Sequence, residues 1–89
     1  MKLKENFVLR QVADIWVVLP LGDQTVDFSS MLKLNDSGAM LWKVLQNHGD
    51  RDALVAALTA EYDVSAQRAQ ADVDRFLDKL LQAGCLEQK

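Results

Sequence analysis

The sequence contains one cysteine, one histidine and one proline among its 89 residues. A single cysteine, Cys85, excludes an internal disulfide and a multi-cysteine metal site, and it fits a reducing compartment. His48 is far from Cys85 in the chain and has no serine motif beside it, so neither a metal-ligand spacing nor a nucleophile–base pair can be recognised. We therefore expect no cofactor, no metal and no catalytic activity.

Long apolar runs and an excess of positive charge are also missing. The apolar run at residues 15–19 is far too short to cross a membrane, and the N-terminal MKLKENFVLR lacks the apolar core of a signal peptide. The formal net charge is −3, whereas domains that bind a phosphate backbone usually carry a basic excess. These absences predict a cytoplasmic protein with neither a membrane nor a nucleic acid as its partner.

What remains is the composition of an ordinary small globular protein. With 49% hydrophobic and 26% charged residues, the chain is too apolar for disorder, and its length suits one domain spanning residues 1–89. Residues 7–12 and 15–19 are rich in β-branched and aromatic side chains and predict two strands joined by Ala13-Asp14. Pro20 ends the second strand, and alternation predicts a third strand at about residues 26–34. The polar lead at residues 1–6 is expected to form no element.

Three helices follow the strands. Asn35 caps a helix at residues 36–46 that ends near His48-Gly49, where Gly49 is expected to take the left-handed conformation. Asp50 caps the second helix, in which Leu54, Leu58 and Tyr62 recur every fourth residue, and Ser65 caps the third, which Gly84 closes. The apolar stripe of the third helix comprises Ala69, Val73, Phe76, Leu77, Leu80 and Leu81.

This order predicts an α+β, winged-helix-like fold, with a three-stranded antiparallel sheet followed by three helices. In a meander of order 1-2-3 the third strand lies at an edge. The expected core comprises Leu32, Leu34, Leu41, Leu45, Leu58, Phe76, Leu77 and Leu80.

Two surface features suggest a binding site. The third strand carries Ser29 and Ser30, with only Lys33 to protect its edge, so it could accept a peptide strand; alternatively, a short twisted edge needs no protection. On the third helix, Arg68, Asp72, Arg75 and Lys79 form one mostly basic stripe, which could equally be a solvated face with local ion pairs.

Two function classes remain open at this point. A winged-helix order suggests a DNA-binding or regulatory domain that reads with its third helix, but that helix also brings three aspartates near any phosphate it approaches. The competing class is a peptide-binding module that adds a peptide strand to its third strand.

Residues distributed over nearly the whole chain match a known family. They are Leu34-Asn35, Gly38-Ala39, Leu41-Trp42, Glu61-Tyr62-Asp63-Val64, Phe76-Leu77, Leu80, Gly84 and Leu86. In these positions the chain resembles the PqqD-like family (coenzyme PQQ synthesis protein D-like), whose domains are also called RiPP precursor peptide recognition elements. Members specific for PQQ carry a Pro-Glu-Gly run where this chain has Pro20-Leu21-Gly22, which favours another peptide pathway.

The resemblance implies a non-catalytic domain that binds the leader segment of a ribosomally synthesised precursor peptide. It would deliver the precursor to a modifying enzyme such as a radical SAM enzyme, a protease or a cyclase. The leader would add by β-augmentation, as an antiparallel strand on the third strand, and lie against the third helix. The implied peptide-binding residues are Asp27, Phe28, Ser29, Ser30, Met31, Leu32, Lys33, Arg68, Asp72, Arg75, Phe76 and Lys79.

Overall fold

The computed structural model describes residues 2–4, 7–20 and 32–87. In chain order these residues form β1 (Lys2–Leu3), β2 (Phe7–Val12), β3 (Ile15–Pro20), β4 (Leu32–Leu34), α1 (Asp36–Gln46), α2 (Arg51–Glu61), α3 (Ala66–Gln82) and β5 (Leu86–Glu87).

Strands β2, β3 and β4 form an antiparallel sheet in the order β2-β3-β4. The β2–β3 hairpin closes with Val12 opposite Ile15, across the predicted Ala13-Asp14 link. Strand β4 pairs with β3 from Trp16 opposite Leu34 to Val18 opposite Leu32. The predicted meander is confirmed, and within the described residues β4 is an edge strand. Residues 26–31 of the predicted third strand lie outside the described part of the chain.

The three helices begin where their caps predict. Each cap residue has an extended backbone, and its side-chain oxygen accepts from a free N–H of the first turn. The pairs are Asn35 with Gly38 N at 2.9 Å, Asp50 with Ala53 N at 2.9 Å, and Ser65 with Arg68 N at 3.1 Å. At the other end of α3, Gly84 has φ 78° and closes the helix as predicted.

The end of α1 differs from the prediction. His48 takes the left-handed conformation, with φ 67°, and Gly49 does not. Gly49 is needed for space instead, because a Cβ there would lie 2.5 Å from Val44 Cγ1 and 2.9 Å from the Val44 carbonyl oxygen. The Gly49 N–H donates to that same carbonyl at 2.9 Å, so the chain turns tightly under the helix end.

The prediction that residues 1–6 form no element is wrong. Strand β1 pairs with β5, with Lys2 opposite Glu87 and Leu3 opposite Leu86, and the Lys4 N–H donates to the Cys85 carbonyl at 2.9 Å. The Leu3 side chain is only 7% exposed, so the N-terminal strand closes one side of the core. Cys85 is a buried small hydrophobe, and burial raises the pKa of its thiol.

The core lies between the inner face of the sheet and the apolar faces of all three helices. Of the residues predicted for it, Leu77 is half-buried and the other seven are buried. Leu81 and Tyr62, which the helical spacing placed on apolar stripes, are 39% and 41% exposed. Further buried side chains complete the core: Leu3, Val17, Val18, Ala39, Trp42, Leu54, Ala69, Val73, Cys85 and Leu86. The structure therefore confirms the predicted α+β, winged-helix-like fold.

Within the described residues, no helix combines the length and apolar character needed to span a membrane.

Candidate functional site

A groove of about 940 Å³ runs between β4 and α3 and is closed at one end by the start of α1 and the β2–β3 turn. This volume is at the upper end of the range for small-ligand pockets, and an open groove of this kind suits an extended chain. Its lining residues are Asp14, Ile15, Lys33, Leu34, Asn35, Asp36, Ser37, Gly38, Leu41, Leu58, Arg68, Asp72, Arg75, Phe76 and Lys79.

One wall of the groove is the edge of β4. The Lys33 carbonyl oxygen accepts a hydrogen bond from Lys79 Nζ of α3 at 3.1 Å, so this carbonyl faces the groove rather than β3. In an antiparallel strand the N–H and C=O of one residue point to the same side, and neighbouring residues alternate. The Lys33 N–H therefore also faces the groove, while Leu32 and Leu34 direct theirs toward β3. The part of the edge that the structure describes therefore offers one donor and one acceptor to an added strand.

The opposite wall is the polar stripe of α3. Asp72 accepts from Arg75 Nη2 at 2.9 Å and lies 3.5 Å from Arg68 Nε. The Arg68 and Arg75 side chains remain 67% and 74% exposed, so both guanidinium groups can still be approached from the groove. One carboxylate shared between two guanidinium groups leaves this wall with a positive excess. The predicted stripe is therefore both internally paired and open to a partner.

The floor of the groove is apolar. Leu34, Leu41, Leu58 and Phe76 line it, and each is between 3% and 8% exposed, so each presents a small part of a side chain that is otherwise packed in the core. Gly38 allows α1 to approach β4 closely, because a Cβ there would lie 3.2 Å from Leu34 Cβ. Anchoring side chains of an extended peptide could rest on this floor.

The closed end of the groove is acidic. Asp36 accepts from Trp16 Nε1 at 3.1 Å, which ties the first turn of α1 to β3. The Lys43 ammonium lies over the Trp16 ring, 4.7 Å from its centre, in a cation–π contact that adds a second link between α1 and β3. Asp14 of the hairpin turn adds a second carboxylate to this end. The groove is therefore acidic at its closed end and basic along α3.

The structure brings half of the predicted site residues into this groove, and of the other half it describes only Leu32. Lys33, Arg68, Asp72, Arg75, Phe76 and Lys79 line it. Leu32 is 8% exposed and packs in the core instead, because the strand alternation turns it inward. Asp27, Phe28, Ser29, Ser30 and Met31 lie outside the described residues.

The closed end of the groove does not follow from the sequence patterns. They predict Asn35 as a helix cap, Asp36 as the first residue of a helix and Asp14 as part of a turn, and they indicate no binding role for the three together. No periodic signal connects a hairpin turn with the start of a helix, so their proximity is known only from the fold. Among the described residues, no group of three or more histidine, cysteine or carboxylate side chains is arranged to hold a metal ion.

Comparisons with known proteins give one family and two similar structures. The family described as coenzyme PQQ synthesis protein D (PqqD) matches residues 16–86. A structure described as TbiB1 in complex with the TbiA(beta) leader peptide is 27% identical, with a TM-score of 0.79, and the alignment covers 100% of this chain and 98% of that one. A structure described as lasso peptide synthetase B1 complexed with the leader peptide is 21% identical, with a TM-score of 0.76, and the coverages are 98% and 96%. At that lower identity the second likeness concerns the fold alone. No curated protein sequence matches the chain.

Proposed function

The chain belongs to the PqqD family, and from that premise we propose that it is a recognition domain for the leader segment of a ribosomally synthesised precursor peptide. The observation that carries the proposal is the outward-facing backbone of Lys33 at the edge of a groove with an apolar floor. A similar protein, TbiB1, has been solved with a leader peptide, and its likeness to this chain extends over the full length.

Strand addition to β4 explains the composition of the groove. An added antiparallel strand exchanges backbone hydrogen bonds with Lys33 and turns alternate side chains toward the floor of leucines and Phe76. The remaining side chains of the peptide pass along α3, where Arg68 and Arg75 are exposed. Backbone pairing supplies affinity for any extended chain, whereas the floor and the charged wall supply selectivity. Asp27, Phe28, Ser29, Ser30 and Met31 complete the proposed peptide-binding set upstream of Lys33.

The proposed partners are a precursor peptide and the enzyme that modifies it. A domain that holds the leader need not carry out chemistry itself, so we propose a non-catalytic role in the cytoplasm, with a radical SAM enzyme, a protease or a cyclase as the second partner. The groove occupies only one face between β4 and α3, so other surfaces remain available for that enzyme.

The DNA-binding alternative is not favoured. The α3 face that would approach a phosphate backbone has its two arginines shared with Asp72, and Asp74 and Asp78 lie on the same helix. Both similar structures are complexes with leader peptides rather than with nucleic acid.

A proline substitution tests strand addition directly. Lys33→Pro removes the outward N–H and places a ring at the edge, but it leaves the bonds of Leu32 and Leu34 to β3 in place. Lys33→Ala is the matched control, because it removes the same side chain and keeps the N–H. We expect both variants to fold, and only Lys33→Pro to lose affinity, by about five-fold or more for one lost hydrogen bond of about 1 kcal/mol.

The measurement is a calorimetric titration with the synthetic leader segment of the precursor encoded beside the gene. Circular dichroism reports whether each variant keeps its fold. A folded Lys33→Pro variant with wild-type affinity would contradict strand addition on β4.

A further inference from the structure

Lys79 differs from the other cations of the α3 wall in what it contacts. Arg68 and Arg75 share the carboxylate of Asp72, whereas Lys79 takes part in no ion pair among the described residues. Its ammonium instead reaches across the groove to the Lys33 carbonyl of β4, which lies 46 positions away in the sequence, with an N–O distance of 3.1 Å. A charged side chain therefore covers the one outward-facing carbonyl that the described edge presents.

That carbonyl is the group a paired strand would use. An open edge strand exposes unpaired N–H and C=O groups and pairs readily with any extended chain, and lysine is a common device against such pairing. The Lys79 ammonium acts at the same atom as the N–H of an incoming strand, so the two compete. A carbonyl oxygen has two lone pairs, but a second donor on the groove side weakens the bond made by the first, so Lys79 opposes the pairing of a peptide with Lys33.

We propose that Lys79 caps the β4 edge in the peptide-free protein and thereby selects peptides that carry a carboxylate facing α3. The inference rests on the proposed function and specifies its substrate class. A peptide with Asp or Glu at the facing position accepts the displaced ammonium and so replaces the hydrogen bond that was lost. A neutral peptide offers the displaced ammonium no partner other than water. It therefore binds more weakly, by the free energy of the lost hydrogen bond between Lys79 and the Lys33 carbonyl.

Neighbouring charges support Lys79 as the selecting residue. Arg68 and Arg75 already have a carboxylate partner in Asp72, so an acidic peptide gains less from them. The ionisable side chains that line the groove along β4 and α3 are Lys33, Arg68, Asp72, Arg75 and Lys79. The closed end, with Asp14 and Asp36, would repel a second carboxylate, which restricts the acidic residue to the α3 side.

The test compares wild-type protein with Lys79→Met, which keeps the length of the side chain and removes its charge and donors. Lys2→Met is the matched control, because Lys2 is also exposed and lies in β1, outside the groove. Short randomised peptides displayed on yeast are selected for binding to each protein. One acidic peptide selected by the wild type and its carboxamide counterpart are then synthesised and titrated against all three proteins.

We expect the wild type and Lys2→Met to select Asp or Glu at one fixed position and Lys79→Met to lose that preference. The carboxamide peptide should bind Lys79→Met about five-fold more tightly than wild type, because the competing cap of about 1 kcal/mol is gone. The acidic peptide should change little, because the lost cap and the lost ion pair offset each other. A damaged fold could only weaken both peptides, so the gain for the neutral one identifies the cap.

Two results would overturn the inference. One is an acidic preference that persists in Lys79→Met, or a carboxamide peptide that gains nothing. The other is a Lys79 ammonium NMR signal that exchanges with water as fast as that of Lys2 in the free protein, since a hydrogen-bonded ammonium is protected. If the wild type selects no peptide at all, the proposed function fails, and the ammonium signal still decides whether the edge is capped.

Discussion

Leu80 and Leu81 are consecutive leucines of α3 in opposite environments. Leu80 has no exposed surface, whereas Leu81 is 39% exposed. Leu80→Ala should lower the free energy of unfolding by about 2–5 kcal/mol, because it leaves a cavity that a small core cannot close. Leu81→Ala should change it by no more than about 0.5 kcal/mol. Urea denaturation of both variants checks the pair, and equal midpoints would show that α3 is rotated from the position described.

The sequence could not separate these two leucines. The apolar stripe of α3 has six members, and helical spacing alone places all of them on one broad face of the helix. How much of that face is buried depends on the width of the surface packed against it. Val73, Phe76 and Leu80 face the core, Leu77 lies at its margin, and Leu81 lies beyond it. Burial of individual residues therefore follows from tertiary packing, while the face itself can be predicted from the sequence.

At the scale of elements, the helices were predictable because each carries its own start signal. Each cap side chain accepts a hydrogen bond from the first turn of its own helix, as seen at Asn35, Asp50 and Ser65. Because this contact is local, cap residues can be recognised from the sequence. Strands β1 and β5 have two residues each and so no periodicity from which to predict them. Their pairing joins the two ends of the chain, and only the assembled core brings those ends together.

The β2–β3 hairpin contains a conformation that its sequence does not favour. Ala13 has φ 54°, in the left-handed region that glycine adopts without steric cost. Ala13→Gly should raise the free energy of unfolding by about 0.5–1 kcal/mol. Glycine relieves the strain of the left-handed conformation, and part of that gain is offset because glycine makes the unfolded chain more flexible.

The control for this hairpin prediction is the same substitution in a helix. Ala56 is exposed inside α2, so Ala56→Gly should cost about 1 kcal/mol. Thermal denaturation of both variants measures the two changes. A loss of stability in both would mean that the turn does not hold Ala13 at positive φ.

An ion pair between Arg51 and Asp74, neither of which lines the groove, connects α2 with α3. Asp74 accepts from Arg51 Nε at 2.7 Å and from Nη2 at 3.0 Å, and these hydrogen bonds hold the pKa of the Asp74 carboxyl below its ordinary value. A carboxyl whose pKa is lower in the folded than in the unfolded protein stabilises the fold at pH values above its unfolded-state pKa. That stabilisation is lost as the pH falls through its folded-state pKa. We expect the wild type to lose stability below about pH 4 more steeply than Asp74→Asn does.

Asp78→Asn is the control, because Asp78 lies on the same helix and, among the described residues, accepts from Gln82 and from no cation. Urea midpoints measured across the acid range give the slopes of all three proteins. A wild-type slope equal to that of Asp74→Asn would show that the Arg51–Asp74 pair does not form in solution.

At the scale of the whole molecule, the groove is assembled from elements that are distant in the sequence. The sequence predicted two of its walls, the edge of the third strand and the polar stripe of α3, and it identified the family that combines them. It did not predict the closed end, where the hairpin turn and the first turn of α1 meet, or the contact of Lys79 with Lys33. Both depend on how α1 and α3 pack against the sheet, which local patterns do not specify.

The most direct test of strand addition on β4 is hydrogen exchange at the Lys33 amide, because it needs no substitution. The amides of Leu32 and Leu34 face β3 and should be protected with or without peptide, whereas the Lys33 amide faces the groove and should exchange rapidly in the free protein. When the protein is saturated with the precursor's leader peptide, we expect the Lys33 amide to become as protected from exchange as the amides of Leu32 and Leu34. A peptide that binds while the Lys33 amide continues to exchange at its free rate would contradict strand addition on β4.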